Sequence, residues 1–278
     1  MGRILTLAHS PDSDDAFMFY ALAKGKIDSR GLEFRHILED IQTLNQRAAE
    51  GVYDVTAISY HAFPRVRTHY LLTRAGSSVG DGYGPMLVSG KPLTRQDLPR
   101  ATVAIPGPLT TAFLALKLYR PDVKTKVVPF DRIPEEVARG SVDAGLLIHE
   151  GQLTYGDLRL HRIVDFGEWW KLETGLPLPL GGNVVRRSLD PKTRRDIDAV
   201  IRDSVAWALD HRPEALEHAL SYGRGLDHDR ADRFIGMYVN DFTLDLGKRG
   251  EEALRLLLRR GHEAGLIPEL VEPEFVGG

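Results

Sequence analysis

Three aspartates, Asp12, Asp14 and Asp15, follow an apolar run in the stretch LAHSPDSDDAFMFYALAKG that begins at Leu7. Carboxylates this close together could hold a metal, act on a proton, or cap the helix that follows. An Asp-x-Asp phosphotransferase places its first aspartate directly on the strand end, whereas Ser10 and Pro11 intervene here. An EF-hand loop fails for want of a glycine and a distal glutamate at the right spacing, and no His-Glu-x-x-His is present. No metal is therefore expected. Helix capping remains: Asp12 with Asp15 three residues on resembles a capping box. One of the acids could still face a ligand, and Asp14, with Ser10, is the candidate.

Three further loops carry groups able to do chemistry. In IPGPLTTAFLALKLY, a glycine turn leads into a helix opened by Thr110 and Thr111. First-turn N–H groups, the helix dipole and the hydroxyls together suit a carboxylate, although Thr110 could simply cap the helix. A phosphate loop is excluded, because the Gly-Lys-Ser/Thr ending is missing. His149 follows the apolar run AGLLI, where a histidine has two readings, a structural one and a proton acceptor. Glu150 or a backbone carbonyl could fix its tautomer. Ser59, preceded by Ala57 and Ile58, ends another apolar run and could donate a hydrogen bond to a ligand. No Gly-x-Ser-x-Gly elbow marks it as a nucleophile.

The elements that must position these loops alternate between strand-length apolar runs and segments of helical period, the pattern of an α/β fold. RILTLA, LEFRHIL and DVTAIS read as strands, with helices over DDAFMFYALAKG and DIQTLNQRAAEG between them. ATVAIP, TKVVPF and DAGLLI repeat the order, separated by LTTAFLALKLY and IPEEVARG. Ala49, Gly51 and Asp54 recur as Ala138, Gly140 and Asp143, each 89 positions on (138−49, 140−51, 143−54). From about Asp190 the chain reads as helical, and EPEFVGG as a short tail. The predicted architecture has two lobes, each built on a βαβαβ mixed sheet. Lobe 1 takes residues 1–90 and 188–278, lobe 2 takes 91–187, and a ligand cleft lies between them, at the strand ends. Trp169 and Trp170 are expected to pack, and the Asp227–Asp229 triplet to cap a helix.

Composition narrows the function classes. The 278 residues are 42% hydrophobic and 27% charged, with a formal net charge of −3 and no basic run, which argues against nucleic acid as partner. No apolar run reaches membrane-span length, so no membrane partner is expected. The apolar stretch near the start is too short for a signal-peptide core, and a cytoplasmic location is expected. With no cysteine, disulfides, thiolate catalysis and Cys-ligated metal centres are excluded. The expected partner is a small-molecule substrate, with a homodimer left open.

Taken together, SPDSDDAFMFYAL, LEDIQTLNQRAAEG, PGPLTTAFLALKLY, GLLIHEGQLTY and WWKLETGLPLPLGG resemble the 1,4-dihydroxy-6-naphthoate synthases of the futalosine route to menaquinone. The resemblance runs in order through YVNDFTLDLGKRGEEAL. It implies the fold of type II periplasmic binding proteins and a cofactor-free carbon–carbon lyase acting on cyclic dehypoxanthinyl futalosine. It implies His149 as the base, with Thr110, Thr111 and Ser59 holding substrate. Two places depart from the family pattern. The first loop there reads Ser-Pro-Cys-Pro-Asn-Asp, against Ser10-Pro11-Asp12-Ser13-Asp14-Asp15 here, and the family lysine two residues before the serine is Ala57. If all face the cleft, these changes make it about three charges more negative, with His9, His61 or Arg65 as candidate compensation. A small-molecule (carboxylate) binding protein of the same fold, or a related lyase or dehydratase on another substrate, is the alternative.

Overall fold

The computed structural model describes residues 4–277 apart from residue 224. The chain begins with β1 (Ile4–His9), α1 (Ser13–Met18), α2 (Tyr20–Ala23), β2 (Glu33–Leu38), α3 (Ile41–Ala49) and β3 (Val55–Ser59). A short α4 (Phe63–Val66), β4 (Tyr70–Leu72) and β5 (Ser78–Gly80) follow. The second lobe runs through β6 (Met86–Ser89), β7 (Thr102–Ile105), α5 (Thr111–Tyr119), β8 (Lys124–Val127), α6 (Ile133–Ala138) and β9 (Ala144–Leu147). It closes with α7 (Gly151–Thr154), β10 (His161–Asp165) and α8 (Phe166–Thr174). The chain then returns along β11 (Leu178–Arg186) to α9 (Pro191–Asp210), α10 (Arg212–Leu220), α11 (His228–Tyr238), α12 (Asp241–Leu244) and α13 (Gly247–Glu263).

Two mixed sheets result, ordered β2-β1-β3-β11-β4 and β10-β6-β9-β7-β8, with β5 pairing β11. The parallel pairs are those that the repeated strand–helix units predict: β1 with β2 and β3, and β7 with β8 and β9. The antiparallel members change places. β6 pairs β9 and β10 in the second sheet, and β11 pairs β3 in the first. Residues 86–89 thus sit with lobe 2 and 178–186 with lobe 1, on the far side of the limits at 90/91 and 187/188 that were expected. Backbone pairing decides this, and pairing leaves no trace in hydrophobic period.

The recurring aspartates do the same work in both halves. Asp54 accepts the backbone N–H of Thr6 on β1 at 3.0 Å, and Asp143 accepts that of Thr102 on β7 at 2.8 Å. In each case a helix ends in a positive-φ glycine, Gly51 or Gly140, a conformation that glycine adopts without steric cost. The carboxylate then ties the start of the third strand to the first. Caps set the helix starts elsewhere: Asp40 accepts from Gln42 and Thr43, and Asp190 from Lys192 and Thr193 with Pro191 behind it. The first helix departs from expectation. It is interrupted at Phe19, whose ring packs 4.7 Å from that of His9.

Ile197, Ile201, Val205 and Ala208 form a buried stripe on α9, at helical spacing, against the first sheet's core. Leu254, Leu257 and Leu258 of α13 join a larger cluster that also holds Leu72 and Val184 of the first sheet and Leu114 and Leu146 of lobe 2. The lobes therefore share one core along their back, each fully buried leucine contributing about 1.5–3 kcal/mol. Trp170 is wholly buried in it, its indole N–H donating to the Pro177 carbonyl at 3.1 Å, as packing predicted. The tail is more ordered than expected: Leu72 donates to Glu274, and Val276 donates back to Leu72, extending the sheet edge.

Candidate active site

The lobes leave a cleft of about 750 Å³, lined at the strand ends. All eight residues singled out from the sequence border it: Ser10, Asp14, Ala57, Ile58, Ser59, Thr110, Thr111 and His149. Their detailed roles differ from what residue type alone suggested.

The threonine hydroxyls are already engaged. Thr110 caps α5, accepting from the Phe113 N–H at 3.2 Å and donating to the Gly107 carbonyl at 2.8 Å. Thr111 donates to the Leu180 carbonyl at 2.6 Å and accepts from the His61 N–H at 3.1 Å. These bonds fix the start of α5 against lobe 1. What the turn offers a ligand is the backbone N–H of Thr111 and Ala112, which have no intrahelical acceptor, together with the positive end of the helix dipole.

Ser59 is held by a residue that sequence reading missed. Asn45 on α3 accepts the Ser59 backbone N–H at 2.8 Å and donates to its hydroxyl oxygen at 3.0 Å. That arrangement leaves the Ser59 O–H proton to be donated into the cleft. The only signal was a polar residue on the buried face of a helix, between Ile41 and Ala48. One turn earlier, Gln42 accepts from the Leu109 N–H at 3.1 Å, and its carboxamide lies against Gly107, where an added Cβ would collide with it. Phe234 and Tyr238 of α11, with Gln152, form another wall that was not foreseen. From sequence, Phe234 and Tyr238 are legible only as part of a helical stretch.

His149 stands just beyond β9 with φ of 52°, in the left-handed region that most side chains avoid. Its Nδ1 meets Asp12 Oδ2 at 2.9 Å, an acid partner outside the two that the sequence offered, Glu150 or a backbone carbonyl. The Phe130 ring approaches the imidazole edge-on at 5.0 Å between centroids. Asp12 also keeps its predicted cap, accepting from the Asp15 N–H at 3.3 Å.

Electrostatics separates the three aspartates. Burial works to raise Asp12, but the adjoining His149, by charge and hydrogen bond, and hydrogen bonds from Asp14 and Ser10 hold it well below the usual carboxylate range. Burial, then the charges of Asp12 and Asp15, push Asp14 well above that range. Asp15 is likewise driven up by burial and by Asp12, against the hydrogen bond it accepts from Ser10 N–H. The three carboxylates are thus driven apart, Asp12 towards its ionised form and Asp14 and Asp15 towards their protonated forms. Of the changes counted from sequence, Asp12 keeps its charge and Ala57 lacks the positive charge of the family lysine, while Asp14 is driven towards its neutral form, so burial works against the full count of about three.

The cations proposed as compensation are not there: His9, His61 and Arg65 are absent from the lining, which contains no lysine or arginine. His9 turns to His36, 3.1 Å away, and is lowered to about 4 by burial, with His36 adding to the effect. His61 points its Nδ1 at the Thr110 carbonyl. Asp12, Asp14 and His149 bring ligand atoms within 4.8 Å of one another, a spacing able to hold a divalent cation, although Asp12 and His149 already face each other directly. No helix among the described residues is long and apolar enough to cross a membrane.

Two mixed sheets closing on an interlobe cleft define the fold of the periplasmic binding proteins. The alkanesulfonate-binding protein SsuA of Xanthomonas axonopodis pv. citri shares it, with a TM-score of 0.75 at 11% identity over 98% of this chain and 96% of that one. The chain belongs to the menaquinone biosynthesis family, whose profile matches residues 5–263. It is 41% identical to the 1,4-dihydroxy-6-naphthoate synthase of Thermus thermophilus, over 98% of this chain and 99% of that protein. Its identity to the synthase of the same name from Streptomyces coelicolor is 39%, over 96% and 95%. The crystal structure of AF1704 from Archaeoglobus fulgidus is 45% identical, with a TM-score of 0.92 over 95% of this chain and 98% of that one.

Proposed function

We propose that this chain is a carbon–carbon lyase that converts cyclic dehypoxanthinyl futalosine to 1,4-dihydroxy-6-naphthoate, with His149 as general base. Near-full-length identity to two synthases of that name supports an enzyme over a pure binding protein. The observation that carries the reading is the convergence of an imidazole, the Ser59 hydroxyl and the α5 N-terminus on one cleft.

Each group has a distinct task. The substrate carboxylate is taken by the N–H groups of Thr111 and Ala112 at the positive end of α5. His149 removes a proton from carbon, and the electron pair left behind develops as an enolate. Donors aimed at that oxygen stabilise it in a site shielded from water, and Ser59 is placed to be one of them. Cleavage of the carbon–carbon bond then releases the ribose-derived fragment, and the remaining ring becomes the dihydroxynaphthoate. The protein residues named supply binding, proton transfer and charge stabilisation without a cofactor.

The test is to incubate the purified protein with cyclic dehypoxanthinyl futalosine and follow product by chromatography and mass spectrometry. Wild type is expected to form it, and His149→Ala to retain ligand affinity while losing turnover. Turnover by His149→Ala at the wild-type rate would remove the histidine from the mechanism.

A further inference from the structure

The Asp12–His149 contact joins residues from opposite lobes, since Asp12 follows β1 and His149 follows β9. Both partners are held. Asp12 is 1% exposed and fixed as the cap of α1, while His149 is turned towards it by a left-handed backbone. A cap alone does not explain the carboxylate. Asparagine or serine would cap as well, without the cost of burying a charge. An ionised carboxylate is an acceptor only, so the nitrogen facing it at 2.9 Å is the one that carries hydrogen. In the neutral ring the basic lone pair is then on Nε2.

We propose that Asp12 is a positioning residue for His149, selecting the tautomer with Nδ1–H and leaving Nε2 as the base. The proposal rests on the reading of His149 as the base and supplies its missing partner. During reaction the proton passes from substrate carbon to Nε2, and the electron pair remains on the substrate as the enolate. Asp12 stays ionised throughout and stabilises the imidazolium that forms, the division of labour known for paired aspartate and histidine. Because its members come from different lobes, the pair is assembled in the closed arrangement and parted by opening of the cleft. The loop pattern that this chain resembles has cysteine where Asp12 stands, so the device distinguishes this chain from that pattern.

The experiment compares wild type, Asp12→Asn and His149→Ala by ¹⁵N NMR of the histidine rings, and by kcat, KM and pH profile with cyclic dehypoxanthinyl futalosine. His149→Ala identifies the His149 resonances. Wild type is expected to show Nδ1 protonated in the neutral ring. Asp12→Asn keeps the cap, and is expected to shift the proton to Nε2 and lower kcat by about 10²–10⁴-fold, with KM within a few-fold. Loss of the carboxylate disfavours the imidazolium, so the acid limb of kcat/KM should move to lower pH. Asp12→Glu should recover part of the rate, and Asp12→Ser, also a cap, replaces Asn if that variant does not fold. An unchanged ring tautomer in Asp12→Asn, or kcat within threefold of wild type with an unmoved acid limb, overturns the proposal. An active His149→Ala instead overturns the base assignment, and the ring spectra still report whether Asp12 sets the tautomer.

Discussion

Replacing His9 with glutamine should remove a specific part of the protein's sensitivity to acid. Its ring is 5% exposed, and burial together with the facing His36 lowers it from 6.5 to about 4, against the opposing pull of the Ser10 carbonyl and Asp12. In the unfolded chain the same ring takes a proton near 6.5. As pH falls through 6.5 the unfolded state therefore binds more protons than the folded one, and stability declines until about pH 4, where the folded ring also charges. Between pH 7.5 and 5 the loss attributable to this histidine is about 2 kcal/mol. Urea denaturation at a series of pH values measures it. Wild type should lose about 2 kcal/mol more than His9→Gln across that interval. Asp14 and Asp15, raised by burial, bend the curve the other way, their contribution falling as pH rises, but they do so in both proteins. Parallel curves for wild type and variant would refute the reasoning.

Asn45→Ala strips both hydrogen bonds from Ser59 and leaves its backbone N–H buried, so a loss of about 1–3 kcal/mol is expected by urea denaturation. In kinetics with cyclic dehypoxanthinyl futalosine it should also disturb the Ser59 hydroxyl, giving a fall in kcat/KM. Gly107→Ala drives a Cβ into the Gln42 carboxamide, which must leave its bond to Leu109, at a cost of about 1–3 kcal/mol in thermal or urea unfolding. Adding Gln42→Ala to that variant should return part of the stability, because the collision is removed. An additive double mutant would show that the collision was not the cause.

The readable part of this molecule was local. Strand–helix alternation predicted the parallel strand pairs, and strand ends predicted which loops would meet at a cleft, because side-chain period and capping are written within a few residues. Long-range pairings were not readable. Asp12 and His149 are 137 positions apart (149−12), and nothing in the composition of either loop marks the other as its partner. The exchange of β6 and β11 between sheets depends on antiparallel hydrogen bonding that hydrophobic period does not encode. Charge was unreadable for a related reason. Counting charges from sequence treats each aspartate as independent, whereas burial and the charges of Asp12 and Asp15 push Asp14 well above the usual carboxylate range. Asn45 escaped notice because a polar residue inside a helix acquires meaning only from what lies across from it.

The left-handed backbone at position 149 sets folding against function. A residue with a Cβ is disfavoured there by roughly 1–2 kcal/mol, while glycine would adopt the same φ of 52° freely. On the proposed reading of His149 as the base, selection for stability alone would drift this site towards glycine, while the imidazole opposes that drift. With that role, the site is one where the better-folded protein would be the poorer enzyme, a conflict resolved in favour of chemistry.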